Sequence, residues 1–127
     1  MGRTSLPQSF RAAWAGLVFV LRSQRNARIE VFIAVAVVLV AAWLRISTLE
    51  WAVVVLVIAA VTAAEIANTA LEAVIDLLAP EYHSSAKVAK DASAGVVLVM
   101  AAASAVIGLL ILGPPLVARL NELLAGG

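Results

Sequence analysis

From Trp51 to Ala64 the chain reads WAVVVLVIAAVTAA, without a charge, and then at once EIANTALEAVID, with acids at Glu65, Glu72 and Asp76. An uncharged run of this kind must be kept dry, and a polar stripe directly beyond it must find partners. A small water-soluble fold has little room for the first requirement. With 64% hydrophobic and 13% charged residues in 127, and a mean hydropathy of +1.06, the chain has more apolar surface than such a fold can hide. A lipid bilayer is the solvent that fits. The opening MGRTSLPQSFRAAW has no apolar core of the kind a cleaved export signal needs, so the N-terminus is expected to be retained. Without cysteine, disulfides and thiolate metal sites are excluded.

The pattern predicts an all-α membrane protein forming one domain over residues 1–127, with a surface helix over about 6–24 and transmembrane helices over about 27–45, 48–79 and 86–113. In the surface helix, Phe10, Trp14, Leu17 and Leu21 recur at helical spacing beside Gln8, Arg11 and Arg22. This suits an amphipathic helix in the headgroup plane, with a buried packing helix as the plainer alternative. The second span opens on ISTLEW. Ser47 is placed to cap the helix, Glu50 to complete a capping box, and Trp43 and Trp51 to sit at the interface. The last span is expected to stop at Pro114 and Pro115, which lack the N–H that a helix needs.

Basic residues set the expected orientation. Arg3, Arg11, Arg22, Arg25 and Arg28 precede the first span and Lys87 and Lys90 lie between the second and third, against Arg45 and Arg119 on the other side. The N-terminus is therefore expected in the cytoplasm and the C-terminus outside. EIANTALEAVID then lies at the cytoplasmic boundary. At about 100° per residue, Glu65, Glu72 and Asp76 fall within roughly 40° of one another on a helix, with Asn68 and Thr69 nearby. In AKVAKDASAG, Lys87, Lys90 and Asp91 share one side of the next helix, with Ala94 continuing that face. Acids and lysines converge at one depth. A structural polar seam satisfied by Arg25 or Arg28 is the plainer alternative.

Such a cluster suits phosphoryl transfer: a carboxylate can activate a hydroxyl, further carboxylates can hold Mg²⁺ on phosphates, and a lysine can balance charge. No soluble nucleotide-binding motif is present, so an ATP site has to be built from these helices.

In RNARIE, EIANTALEAVID, PEYH and AKDASAG, over Phe10 to about Gly113, the chain resembles the small integral-membrane prokaryotic diacylglycerol kinases, of the undecaprenol kinase type. The resemblance implies a homotrimer in the plasma membrane that uses MgATP to phosphorylate a lipid hydroxyl, undecaprenol or diacylglycerol. It implies Glu65 as catalytic base, Glu72 as a metal ligand, Asn68 lining the site, Lys90 on the phosphates, Asp91 at the nucleotide end and Asp76 in support. Gln24 stands where the family commonly has a second magnesium-binding glutamate. An amide oxygen there can accept or coordinate without the charge Mg²⁺ prefers. Glu30, six residues on, is a candidate to compensate, though on a continuous helix it is expected to face another way. Because one protomer offers a single polar stripe, the site is expected to be shared between subunits, one chain's second span facing another's surface helix.

Arg22, Arg25 and Arg28 suit ATP phosphates, anionic lipid or plain anchoring. His83 reads as a surface turn residue. No feature points to nucleic acid. A proton or cation path is the competing class, and an inactive assembly subunit a third. Against a path, the acids gather at one end, and between Trp51 and Ala64 only Thr62 carries a hydroxyl.

Overall fold

The computed structural model describes residues 5–126, and Arg3 lies outside them. The chain forms four helices in order: α1 (Leu6–Ser23), α2 (Arg25–Leu44), α3 (Thr48–Leu78) and α4 (Ser84–Ala125). Three of them, α2, α3 and α4, are long and apolar enough to cross a membrane. The packing is inverted relative to a soluble protein. The buried apolar residues are few and small, namely Val20, Ala27, Ala41, Val54 and Val61, while large ones such as Phe32, Leu56 and Leu98 stand exposed on the outer surface. In a bilayer that surface meets acyl chains, and backbone polar groups are satisfied within the helices.

Local chemistry explains the boundaries. At the start of α3 the expected capping box is present: the Glu50 amide donates to Ser47 Oγ at 3.3 Å and the Ser47 amide donates to Glu50 Oε2 at 2.7 Å. Helix α2 ends where Arg45 turns left-handed (φ 55°, ψ 49°), with the Ile46 amide bonded back to the Ala41 carbonyl at 3.3 Å. This is a Schellman-type closure. Helix α4 begins at His83, whose Nδ1 accepts from the Ser85 amide at 3.2 Å. The histidine of PEYH is thus the cap of the helix that carries Lys87, Lys90 and Asp91.

Two expectations are corrected. Pro114 and Pro115 do not end the last span; α4 runs through both to Ala125. Proline's fixed φ is a helical one, and its missing N–H orphans only the carbonyls of Leu110 and Ile111. Near the end of a span, water can take those carbonyls. At 42 residues α4 is about 63 Å long, well beyond the roughly 30 Å of hydrocarbon. The second correction is at Gln24. The chain there is extended (φ −99°, ψ 122°), so α1 and α2 are separate helices and Glu30 is not phased from Gln24 on one continuous cylinder.

On α1 the apolar stripe divides. Leu17, Val20 and Leu21 turn inward to a crevice shared with α2 and α3, whereas Phe10 and Trp14 are 74% and 59% exposed. The most extensive helix pairing is α3 with α4. That pairing positions the polar groups.

Candidate active site

The polar stripe of α3 faces two neighbours. Towards α1 and α2, Glu65 is only 3% exposed and lines a crevice with Leu17, Val20, Ala27, Thr62 and Glu30. The space is about 10 Å³, of the order of one water molecule. Thr69, one turn on, is buried and donates to the Glu65 carbonyl at 2.9 Å. Its hydroxyl is thereby satisfied inside the helix. The Glu65 carboxylate is different, because among the described residues no protein donor reaches it. A near-buried carboxylate without a donor is a costly arrangement, and within membrane helices such groups mark function.

Towards α4, Asn68 is a junction. Its Nδ2 donates to Glu72 Oε1 at 3.2 Å and its Oδ1 accepts from Ser93 Oγ at 2.5 Å. The amide is held from both sides and hands Glu72 a fixed direction, leaving Glu72 Oε2 without a protein partner among the described residues. One turn further, Asp76 pairs with Lys90 across the α3–α4 interface. Asp91 pairs with Lys87 at 2.5 Å on the exposed side of α4. Part of the expected convergence of acids and lysines is present, as a ladder from Asn68 and Glu72 to Asp76 and Lys90, with Glu65 turned instead to the α1–α2 side.

Not every expected residue joins the ladder. Arg28 is turned to the end of α1, where its guanidinium donates to the Arg22 carbonyl at 2.8 Å. Gln24 sits half-buried at the α1–α2 junction, with no hydrogen bond from its side chain among the described residues. Ala94 is exposed, and it is Ser93 that faces α3. One residue escaped the sequence reading of the site, and a second, Glu30, was expected to face away from it. Ser93 lies three residues after Lys90, so the i, i+3 spacing that aligned the lysines carries it onto the same face. Glu30 enters beside Glu65 because the break at Gln24 rotates α2, and a break between two helical stretches leaves little trace in periodicity.

Mg²⁺ commonly takes one or two protein carboxylates together with substrate phosphates. The free Glu72 oxygen fits that role. Among the described residues no group of three or more His, Cys, Asp or Glu could hold a metal by itself, so phosphate oxygens would have to complete the shell.

Three membrane-length helices with a charged ladder between two of them define an integral membrane protein. Residues 11–112 match the prokaryotic diacylglycerol kinase family. A protein named diacylglycerol kinase from Synechocystis sp. is 45% identical over 109 residues, covering 85% of this chain and 62% of that protein. One named undecaprenol kinase from Bacillus subtilis is 38% identical over 109 residues, covering 86% of this chain and 89% of that protein. The chain thus spans less than two thirds of the Synechocystis protein and nearly all of the Bacillus one. It belongs to the prokaryotic diacylglycerol kinase family.

Proposed function

We propose that the chain is a membrane lipid kinase that transfers the γ-phosphate of ATP to a lipid hydroxyl at the cytoplasmic face of the plasma membrane. The observation that carries the reading is Glu65, a near-buried carboxylate with no protein donor among the described residues, opening on a space of about 10 Å³. A hydroxyl fits beside it; a whole headgroup does not. Glu65 accepts the alcohol proton as the oxygen attacks the γ-phosphorus, and the bond from that phosphorus to the bridging oxygen of ADP breaks. Lys90, released from Asp76 or shared with it, faces the phosphate oxygens. Asn68 holds Glu72 in place, and Glu72, with Gln24 as a second donor, would hold Mg²⁺. When bound, the ion neutralises charge on the phosphates. Asp91 and Arg28 serve the nucleotide end in this reading, both from exposed positions.

The family membership supports the reaction class, and the near-complete match to the Bacillus protein favours undecaprenol over diacylglycerol as acceptor. The deciding assay supplies γ-labelled ATP with undecaprenol and diacylglycerol side by side in the same bilayer. Label is expected in both lipid fractions with the polyprenol ahead. Label in neither leaves the ion-path or assembly-subunit reading in its place.

The Gln24 position gives a second test. A carboxylate there adds charge to the set facing the metal, so Gln24→Glu is expected to lower the Mg²⁺ concentration for half-maximal rate by roughly three- to tenfold. Indistinguishable magnesium titrations of the two proteins would remove Gln24 from the site.

A further inference from the structure

At the end of the bundle remote from Glu65, a second cleft of about 290 Å³ opens between the end of α2 and the last turns of α4, lined by Trp43, Arg45, Pro115, Ala118, Arg119 and Glu122. We propose that it binds the phosphate of an anionic phospholipid headgroup in the leaflet opposite the kinase site. Arg45 is the one non-glycine residue with positive φ among those described. Glycine is the low-cost choice for that C-terminal position, yet the chain places a guanidinium there. No carboxylate pairs with it among the described residues, so its donors are uncommitted. Arg119 faces the same cleft and gives one nitrogen, Nη1, to Glu122 at 3.1 Å. Two arginines against one glutamate leave the cleft positive. Guanidinium groups match phosphate oxygens in pairs.

The location selects the occupant. Arg45 closes a 20-residue helix of membrane length, with Trp43 beside it in the wall, so the cleft lies where headgroups lie. A guanidinium pair binds a phosphate by charge-assisted hydrogen bonds in whichever leaflet the headgroup lies. The volume takes a glycerophosphate head, while acyl chains can follow the exposed Leu39, Leu109 and Leu110. The far wall, Pro115 to Glu122, belongs to the continuation of α4 through the two prolines and lies beyond the family match, which ends at residue 112.

The test measures lipid retained by the full-length protein, by native mass spectrometry after exchange in phosphatidylcholine bilayers containing phosphatidylglycerol. Wild type is expected to keep phosphatidylglycerol over phosphatidylcholine. Arg45→Gly combined with Arg119→Gln should cut that preference about tenfold, and glycine suits the turn, so the fold survives the change. Glu122→Gln frees Arg119 and should raise the preference. Phosphate transfer stays as in wild type in both variants. Equal preference in wild type and the double variant overturns the proposal. So does displacement of the lipid by millimolar inorganic phosphate, which would mark a site for a soluble anion.

Discussion

Replacing Glu65 with glutamine should lower phosphate transfer to lipid by about 10²–10⁴-fold, the range a positioned general base supplies, while the protein stays folded. The amide keeps the shape of a side chain that is 3% exposed between α1, α2 and α3, so no cavity forms. It also removes an ion that has no protein donor among the described residues, so no ion pair or hydrogen bond is lost with the charge. The thermal unfolding midpoint is therefore expected to equal or exceed that of wild type. Glu65→Asp keeps the charge but withdraws it by one methylene, and a base displaced by that much loses part of its advantage, giving a rate between the other two. Initial rates of γ-phosphate transfer, with the apparent KM for ATP measured alongside, decide the matter. A Glu65→Gln rate within about tenfold of wild type is outside what loss of the base allows, and would move the role to Glu30 across the crevice. An altered KM for ATP with unchanged kcat would make Glu65 a binding group.

Much of this site is legible in the chain because helical phase and sequence distance are tightly linked. EIANTALEAVID has its acids seven and four residues apart, and those spacings put them on one face whatever else the fold does. The capping box of Ser47 and Glu50 is equally local, and it forms as read. What periodicity does not carry is the relation between one helix and the next. Glu30 and Glu65 meet only because the backbone breaks at Gln24, and Asn68 meets Ser93 only because α3 and α4 pack with those turns level. Prolines mislead for a related reason. Their cost inside a helix depends on whether the orphaned carbonyls face lipid or water, and position in the bilayer, not sequence, decides that. The left-handed turn at Arg45 has no sequence marker at all, since glycine or asparagine is the usual sign of one.

Lys90→Met should lower kcat/KM for ATP by about 10²–10³-fold, the loss seen when one preorganised electrostatic group facing a transferring oxyanion is removed. Its effect on stability should be small. Lys90 pairs with Asp76, but their side chains are 37% and 66% exposed, and an ion pair so open to solvent contributes little to folding. Asp76→Asn separates the two roles of that pair. If Asp76 only orients the lysine, its loss costs far less than the loss of Lys90, and the double variant behaves like Lys90→Met alone. If the two variants are equally impaired and their effects multiply, Asp76 acts on the substrate directly. The same lysine tests how the site is assembled. A chain with Glu65→Gln and a chain with Lys90→Met are each expected to be strongly impaired, and when co-assembled they should regain activity only if one subunit's base works with another's lysine. Within one chain α1 already covers Glu65, while Glu72 is half-exposed and Asp76 and Asp91 stand open to the outside. In an assembly, a neighbouring subunit would therefore reach the Glu72–Asp76 end of the stripe rather than Glu65. Recovery in mixed assemblies is the result expected of a shared site, and assemblies with no more activity than the separate variants would confine each site to a single chain.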